Sequence, residues 1–123
     1  MKNENIIQVK SFEFAIMIVE SYKELMDEHK EFVLSKQLVR SGTSIGANVE
    51  ESIGAYSQKD FLHKLSISYK EARETKYWIR LLQATNFMRE DKAEILINEV
   101  EQIIKIIGKI QSSMRLKLNA RYQ

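Results

Sequence analysis

Four carboxylates, Glu50, Glu51, Glu71 and Glu74, are the groups in this chain best spaced to do chemistry together. Glu71 and Glu74 stand three residues apart, which on a helix puts them on one face. Glu50 and Glu51 lie on a preceding segment that can pack beside it. Acids gathered in this way can hold a metal or divide acid and base roles between them. The rest of such a constellation is missing. His29 and His63 are the only histidines, and neither belongs to a Glu-x-x-His pair repeated on a second helix, as a carboxylate di-metal bundle requires. No Ser-His-Asp order, phosphate-cradling glycine loop or dinucleotide fingerprint occurs. The absence of cysteine removes thiolate chemistry and disulfides, and fits a reducing, cytoplasmic location. The expectation is a protein that is not an enzyme and needs no metal or cofactor. Its carboxylates are then held by Arg40, Lys70 or tyrosine side chains.

The cations are more informative than the acids. Net charge is only +2, too small by itself to imply nucleic-acid binding, but the charge is segregated. Beyond Glu101 there is no acid, while Lys105, Lys109, Arg115, Lys117 and Arg121 follow. These suit the dipole at a helix C-terminus. They also suit pairing with an acidic stripe (Glu13, Glu20, Glu24, Asp27, Glu31) on a neighbouring subunit. Finally, they could track a phosphate backbone, where each neutralised phosphate adds salt-sensitive affinity. A second group, Lys70, Arg73, Lys76 and Arg80, has Tyr69 and Tyr77 among its members. The interleaved Glu71 and Glu74 make it a solvated face first and a candidate binding surface second.

These groups need a scaffold, and the pattern along the chain is helical throughout. Segment one, about 11–29, repeats Phe12, Ala15, Ile16, Val19, Tyr22 and Met26 at three- and four-residue spacing, with Phe14, Ile18 and Leu25 widening the face. Segment two, about 35–56, opens on Ser35 as a candidate N-cap and turns Leu38, Gly42, Ile45, Gly46, Val49 and Ile53 inward. Ser57 followed by Asp60 is a hydroxyl-then-acid cap for segment three, about 58–85. Its inner face is Phe61, Leu65, Ser68, Ala72, Thr75, Ile79 and Leu82. Asn86 can supply a left-handed C-cap. Segment four, about 90–115, carries a heptad seam of Ala93, Leu96, Val100, Ile103, Ile107, Ile110 and Met114.

The links are short, so neighbouring helices should run antiparallel. The expected fold is all-α: one domain over 1–123, an up-down-up-down four-helix bundle. A longer coiled coil with exchanged helices is the alternative. Gly42 and Gly46 each cost a helix roughly 1 kcal/mol relative to alanine. A helix that keeps both needs its backbone close to something, and another helix is the usual reason. Segment three also has apolar residues on its outer side. Ile67, Trp78 and Leu81 point away from the inner face, and a large aromatic is a common interface anchor. Segment four is wide too, with Ile95, Ile97, Ile104 and Ile106 flanking the seam. Both point to a homo-oligomer. No run of about 18 apolar residues exists, so no membrane span is expected. The alternating polar and apolar residues of 1–10 do not read as a signal peptide.

The stretch Gln37 to Glu51, reading QLVRSGTSIGANVEE, resembles the signature of bacterial four-helix-bundle proteins first noticed in intervening sequences of 23S rRNA genes. The likeness continues through Ala55-Tyr56-Ser57-Gln58-Lys59-Asp60-Phe61 and resumes from Lys70 to Leu82. Asn86 stands where the family often has glycine. The resemblance implies an antiparallel bundle that assembles into a homo-oligomeric ring, a pentamer in relatives. The family is similar to the accessory variability proteins of diversity-generating retroelements. It therefore implies RNA or a nucleic-acid enzyme such as a reverse transcriptase as partner, and no catalytic residues. Arg40, Asn48, Glu51, Glu71 and Glu74 match its polar pattern and are expected first as bundle or subunit contacts. Three functions are weighed: binding of structured RNA or a ribonucleoprotein through basic surface, a protein-protein scaffold without nucleic-acid binding of its own, and an enzyme or metal carrier using Glu50, Glu51, Glu71 or Glu74.

Overall fold

The computed structural model describes the backbone of residues 2–121 and the side chains of residues 6–120. Within them lie four helices and no strand: α1 (Lys2–Asp27), α2 (Leu34–Ile53), α3 (Gln58–Ala84) and α4 (Glu90–Arg121). Each helix packs on its neighbours in chain order, and α4 returns to α1. All four pairings are antiparallel, because partner numbers fall on one helix as they rise on the other. Gly42 meets Ile18 and Gly46 meets Ser11. Thr75 bonds Ser41 while Ser68 bonds the Ile45 carbonyl. Lys76 pairs with Glu101 and Gln111 with Ser66. Lys92 pairs with Glu24 and Lys10 with Glu99. This is the up-down-up-down bundle.

Helices α3 and α4 bury the faces their spacing indicates. Leu65, Ser68, Ala72, Thr75, Ile79 and Leu82 are buried, as is the whole α4 seam from Ala93 to Met114. Phe61 is half-buried at the rim. On α2 the inner face is Leu38, Ser41, Gly42, Ile45, Val49 and Ser52, whereas Ile53 is exposed.

On α1 the spacing is right and the phase is wrong. The buried stripe is Ile7, Ser11, Phe14, Ile18, Ser21 and Leu25, alternating four and three residues apart. Phe12 is 67% exposed and Ile16 46%. Two of its positions are serines, so large apolar residues alone do not trace the heptad. Ile7 carries that stripe into the first turns, so α1 starts well before residue 11. At the other end, α4 continues past 115 to Arg121.

The caps explain where the helices stop. Ser35 is not the N-cap of α2. It is buried in the first turn, and Glu31 supplies the acceptor instead. The Glu31 carboxylate accepts from the backbone N–H groups of Val33 at 3.1 Å and Ser35 at 2.8 Å. An acid there satisfies orphan donors and suits the helix dipole. Ser57 caps α3 as expected, accepting from the Asp60 N–H at 3.1 Å. Asn86 adopts φ 67°. Phe87 N–H donates to the Leu82 carbonyl and Asn86 N–H to that of Gln83, a Schellman ending. The asparagine thus does the conformational work of a glycine.

Gly42 and Gly46 face α1, as the helix-packing argument requires. A Cβ on Gly42 would lie 2.7 Å from Ile18 Cγ2, and one on Gly46 would lie 3.3 Å from the Ser11 carbonyl oxygen. Among the described residues, no helix is long and apolar enough to cross a membrane.

Candidate nucleic-acid interface

The antiparallel register of α3 and α4 decides which cations meet. Arg73, Lys76 and Arg80 recur at three- and four-residue spacing, so they share the shoulder of α3 that faces α4. Lys105 comes to the same place from α4. With Tyr77, Glu101 and Ile104 they line a groove of about 340 Å³. Four cations therefore share the groove with one carboxylate. Lys76 answers that carboxylate, Nζ to Glu101 at 3.6 Å. Among the described residues, Arg73, Arg80 and Lys105 have no acid within salt-bridge reach. The Arg73 guanidinium lies 5.9 Å from the centre of the Tyr69 ring, which steadies it without neutralising it.

The five C-terminal cations do not form one stripe. At about 100° per residue, Lys109 projects near Lys105, but Arg115 and Lys117 project to other sides of α4. Lys117 also stands about 18 Å along the axis from Lys105. Lys105, Lys109, Arg115 and Lys117 are all exposed. The Arg121 side chain lies outside the described residues. The two basic sets of the sequence thus merge at Lys105 with Lys109 beside it, whereas Arg115 and Lys117 form a separate, dispersed surface. Nothing in the sequence alone fixes the register that joins residue 105 to residues 73–80.

On its other shoulder α3 carries the polar residues of the signature. Arg40 Nη1 donates to Glu71 Oε2 at 3.0 Å, Arg40 Nη2 donates to Glu74, and Arg40 Nε donates to Gln37 at 3.3 Å. Trp78 Nε1 donates to the same Glu74 oxygen at 2.9 Å. Arg40 thus holds two of the four carboxylates, as expected. Glu50 and Glu51 lie elsewhere. Glu51 pairs with Lys64 at 3.2 Å and Glu50 accepts from Gln8 at 3.3 Å. The four acids do not converge on one site. Asn48 stays on its own helix, donating to the Ser44 carbonyl at 2.9 Å.

Ile67, Trp78 and Leu81 are half-buried. Trp78 packs against the core and makes an edge-to-face contact with Tyr77, ring centres 5.0 Å apart and planes at 71°. Tyr77 itself is 57% exposed. The phase of α1 leaves a further apolar surface outside, which Ile95, flanking the α4 seam, joins. Val9, Phe12 and Ile16 stand exposed along α1, and Ile95 is exposed on α4.

One acidic cluster also escaped the sequence reading. Glu24, Glu28 and His29, at the end of α1, bring their ligand atoms within 4.8 Å of one another. Lys92 Nζ already sits 2.7 Å from Glu24 Oε2, and Arg89 lines the same cavity. Bonding to the Lys92 ammonium, opposed by desolvation, holds the Glu24 carboxyl below its ordinary range. Charge there is balanced by the protein's own cations.

The chain matches the profile of the 23S rRNA-intervening sequence protein family over residues 3–109. Its fold is similar to the crystal structure of a protein of unknown function from the S23 ribosomal protein family of Bacteroides thetaiotaomicron VPI-5482. The two are 46% identical with a TM-score of 0.89, over 89% of this chain and 98% of that one. No curated protein matches it.

Proposed function

This chain belongs to the 23S rRNA-intervening sequence protein family, and we propose that it works as a non-enzymatic, homo-oligomeric bundle that binds structured RNA or a ribonucleoprotein through basic surface. The observation that carries this reading is the α3–α4 groove, where Arg73, Arg80 and Lys105 stand without acid partners. Unneutralised cations gathered in a concavity cost folding energy through mutual repulsion, and a phosphate backbone relieves it. Lys109 extends the surface along α4, and Arg115 and Lys117 offer more distant contacts.

The proposed assembly is a ring, with five subunits by analogy with relatives, in a bacterial cytoplasm. Ile67, Trp78 and Leu81 are its proposed contact. They occupy the α3 shoulder that carries Glu74 and faces Arg40 of α2. The groove cations lie on the opposite shoulder, with Tyr77, which touches Trp78, between the two.

A second reading is a scaffold or accessory subunit, for example of a reverse transcriptase as in diversity-generating retroelements. The exposed apolar residues Val9, Phe12, Ile16 and Ile95 favour a protein partner.

Binding of a fluorescent structured RNA at several salt concentrations, against an unrelated competitor, separates the two. The RNA reading expects tight binding that falls steeply with salt, and the slope estimates how many phosphates are covered. Absence of binding at low salt would reject it in favour of the scaffold.

A further inference from the structure

The groove has a feature that phosphate binding alone does not use. Tyr77 rises from its wall with more than half its surface in solvent, beside the apolar Ile104. Trp78 meets its ring edge-to-face, centres 5.0 Å apart. Trp78 is in turn fixed by its Nε1 bond to Glu74 at 2.9 Å, and Glu74 is held by Arg40 across the α2–α3 contact. The polar residues of the signature therefore end on an oriented, solvent-facing aromatic ring with cations on both sides of it.

We propose that this groove binds an unpaired stretch of RNA, stacking one base on Tyr77 while Arg73, Arg80 and Lys105 take the flanking phosphates. The proposal rests on the RNA-binding reading above and deepens it. A duplex keeps its bases stacked on each other and offers a side chain in a groove nothing to stack on. Unpaired bases in loops, bulges and ends are splayed out and use aromatic platforms. Arg73 and Arg80 stand two helical turns apart, about 10 Å, so they can hold phosphates on either side of the base between them. Lys105 approaches from α4, so cations border both walls of a channel, as a single strand threading it requires. Stacking tolerates any base, so the groove recognises unpairedness before sequence. Glu101, paired with Lys76, is the one repulsive group in the path. A phosphate at Lys76 would have to displace it, so Lys76 contributes less than its neighbours.

The test compares two fluorescent RNAs of equal length, one a hairpin with an eight-nucleotide unpaired loop, the other fully paired. Both are titrated with the full chain at low salt. The parent should prefer the looped RNA. Tyr77→Ala should weaken looped-RNA binding by roughly 5- to 150-fold and leave duplex binding unchanged. Tyr77→Phe keeps the ring and should bind as the parent, which separates the ring from its hydroxyl, while unchanged duplex binding by Tyr77→Ala shows that the fold has survived. Arg80→Gln with Lys105→Gln should weaken binding and lower the salt slope by about 0.7 per lost phosphate contact on a single strand. Equal binding of both RNAs by the parent, or undiminished looped-RNA binding by Tyr77→Ala, would overturn the stacking proposal while RNA binding itself stands. Failure of the parent to bind either RNA would remove the RNA reading and this proposal with it.

Discussion

Replacing Gly42 by alanine should destabilise this protein, although alanine is the better helix former. The gain from propensity is roughly 1 kcal/mol. Against it stands the contact with α1. The new methyl would lie 2.7 Å and 2.9 Å from the two γ carbons of Ile18, and 3.2 Å from its Cβ. These atoms sit at the base of the side chain, and a β-branched residue in a helix has essentially one χ1 rotamer. Ile18 is fully buried, so it cannot turn aside. The two helices must separate, at an overpacking cost of about 1–3 kcal/mol. The balance is destabilisation of ~0–2 kcal/mol. Gly108→Ala supplies the control. That glycine is also inside a helix, but its new Cβ would only touch Tyr69 at an ordinary 4.0 Å. It should therefore stabilise by up to ~1 kcal/mol. Urea denaturation at one fixed protein concentration reads both, since midpoints of an oligomer depend on concentration. The decisive arm is Gly42→Ala placed on Ile18→Ala. There the two γ carbons are gone and the Cβ at 3.2 Å is the close atom that remains, so the glycine change should cost less than in the parent, with a coupling of roughly 1–3 kcal/mol. If Gly42→Ala stabilises the parent as much as Gly108→Ala does, the close approach of α1 and α2 is not what demands glycine.

Lys92→Met should cost no more than about 1 kcal/mol at pH 7, because the Glu24–Lys92 pair is partly exposed. The Lys92 ammonium lowers the folded-state pKa of Glu24 from 4.5. Its stabilisation is therefore complete above that value and lost as pH falls through the folded pKa. Denaturation of parent and variant at pH 7 and pH 3 should show the gap closing in acid; a gap that persists would refute the pairing. Trp78→Glu should break the proposed ring into smaller species, read as solution mass by light scattering, and an unchanged mass would reject Ile67, Trp78 and Leu81 as the contact. Arg40→Ala leaves Glu71 and Glu74 close together without their counter-ion. It should lower stability by about 1 kcal/mol and alter Trp78 fluorescence, since the Trp78 N–H partner loses its anchor. An emission spectrum identical to the parent's would show that Glu74 is held by something else.

Helices α3 and α4 were legible because their buried positions are either large and apolar or part of an uninterrupted three-four alternation. Helix α1 was legible as a helix and illegible in phase. Its true stripe contains Ser11 and Ser21, while Phe12, Ile16 and Val9 advertise a different face. Buried serines are tolerable in a helix interface because small side chains let backbones approach. Ser11 is the residue against which Gly46 packs. The pair of glycines on α2 and the serine on α1 are thus two halves of one contact. Only the glycine half announces itself in sequence, through its helix-propensity cost.

The candidate site was hidden for a different reason. Its cations belong to two segments whose charges read separately as a mixed-charge helix face and a basic C-terminal run. On α3 the apparent neutrality of Lys70 to Arg80 dissolves once the helix is folded. Glu71 and Glu74 turn toward Arg40 on α2, and Arg73 and Arg80 turn toward α4. A single helix thereby sorts an interleaved sequence into an acidic shoulder and a basic one. The acids are consumed in holding α2, Trp78 and through it Tyr77. The cations left over on the far shoulder are joined by Lys105, which the register of α4 delivers. The charge that a ligand would meet is set by which acids the fold has already used, and that depends on packing between helices rather than on any local count of residues.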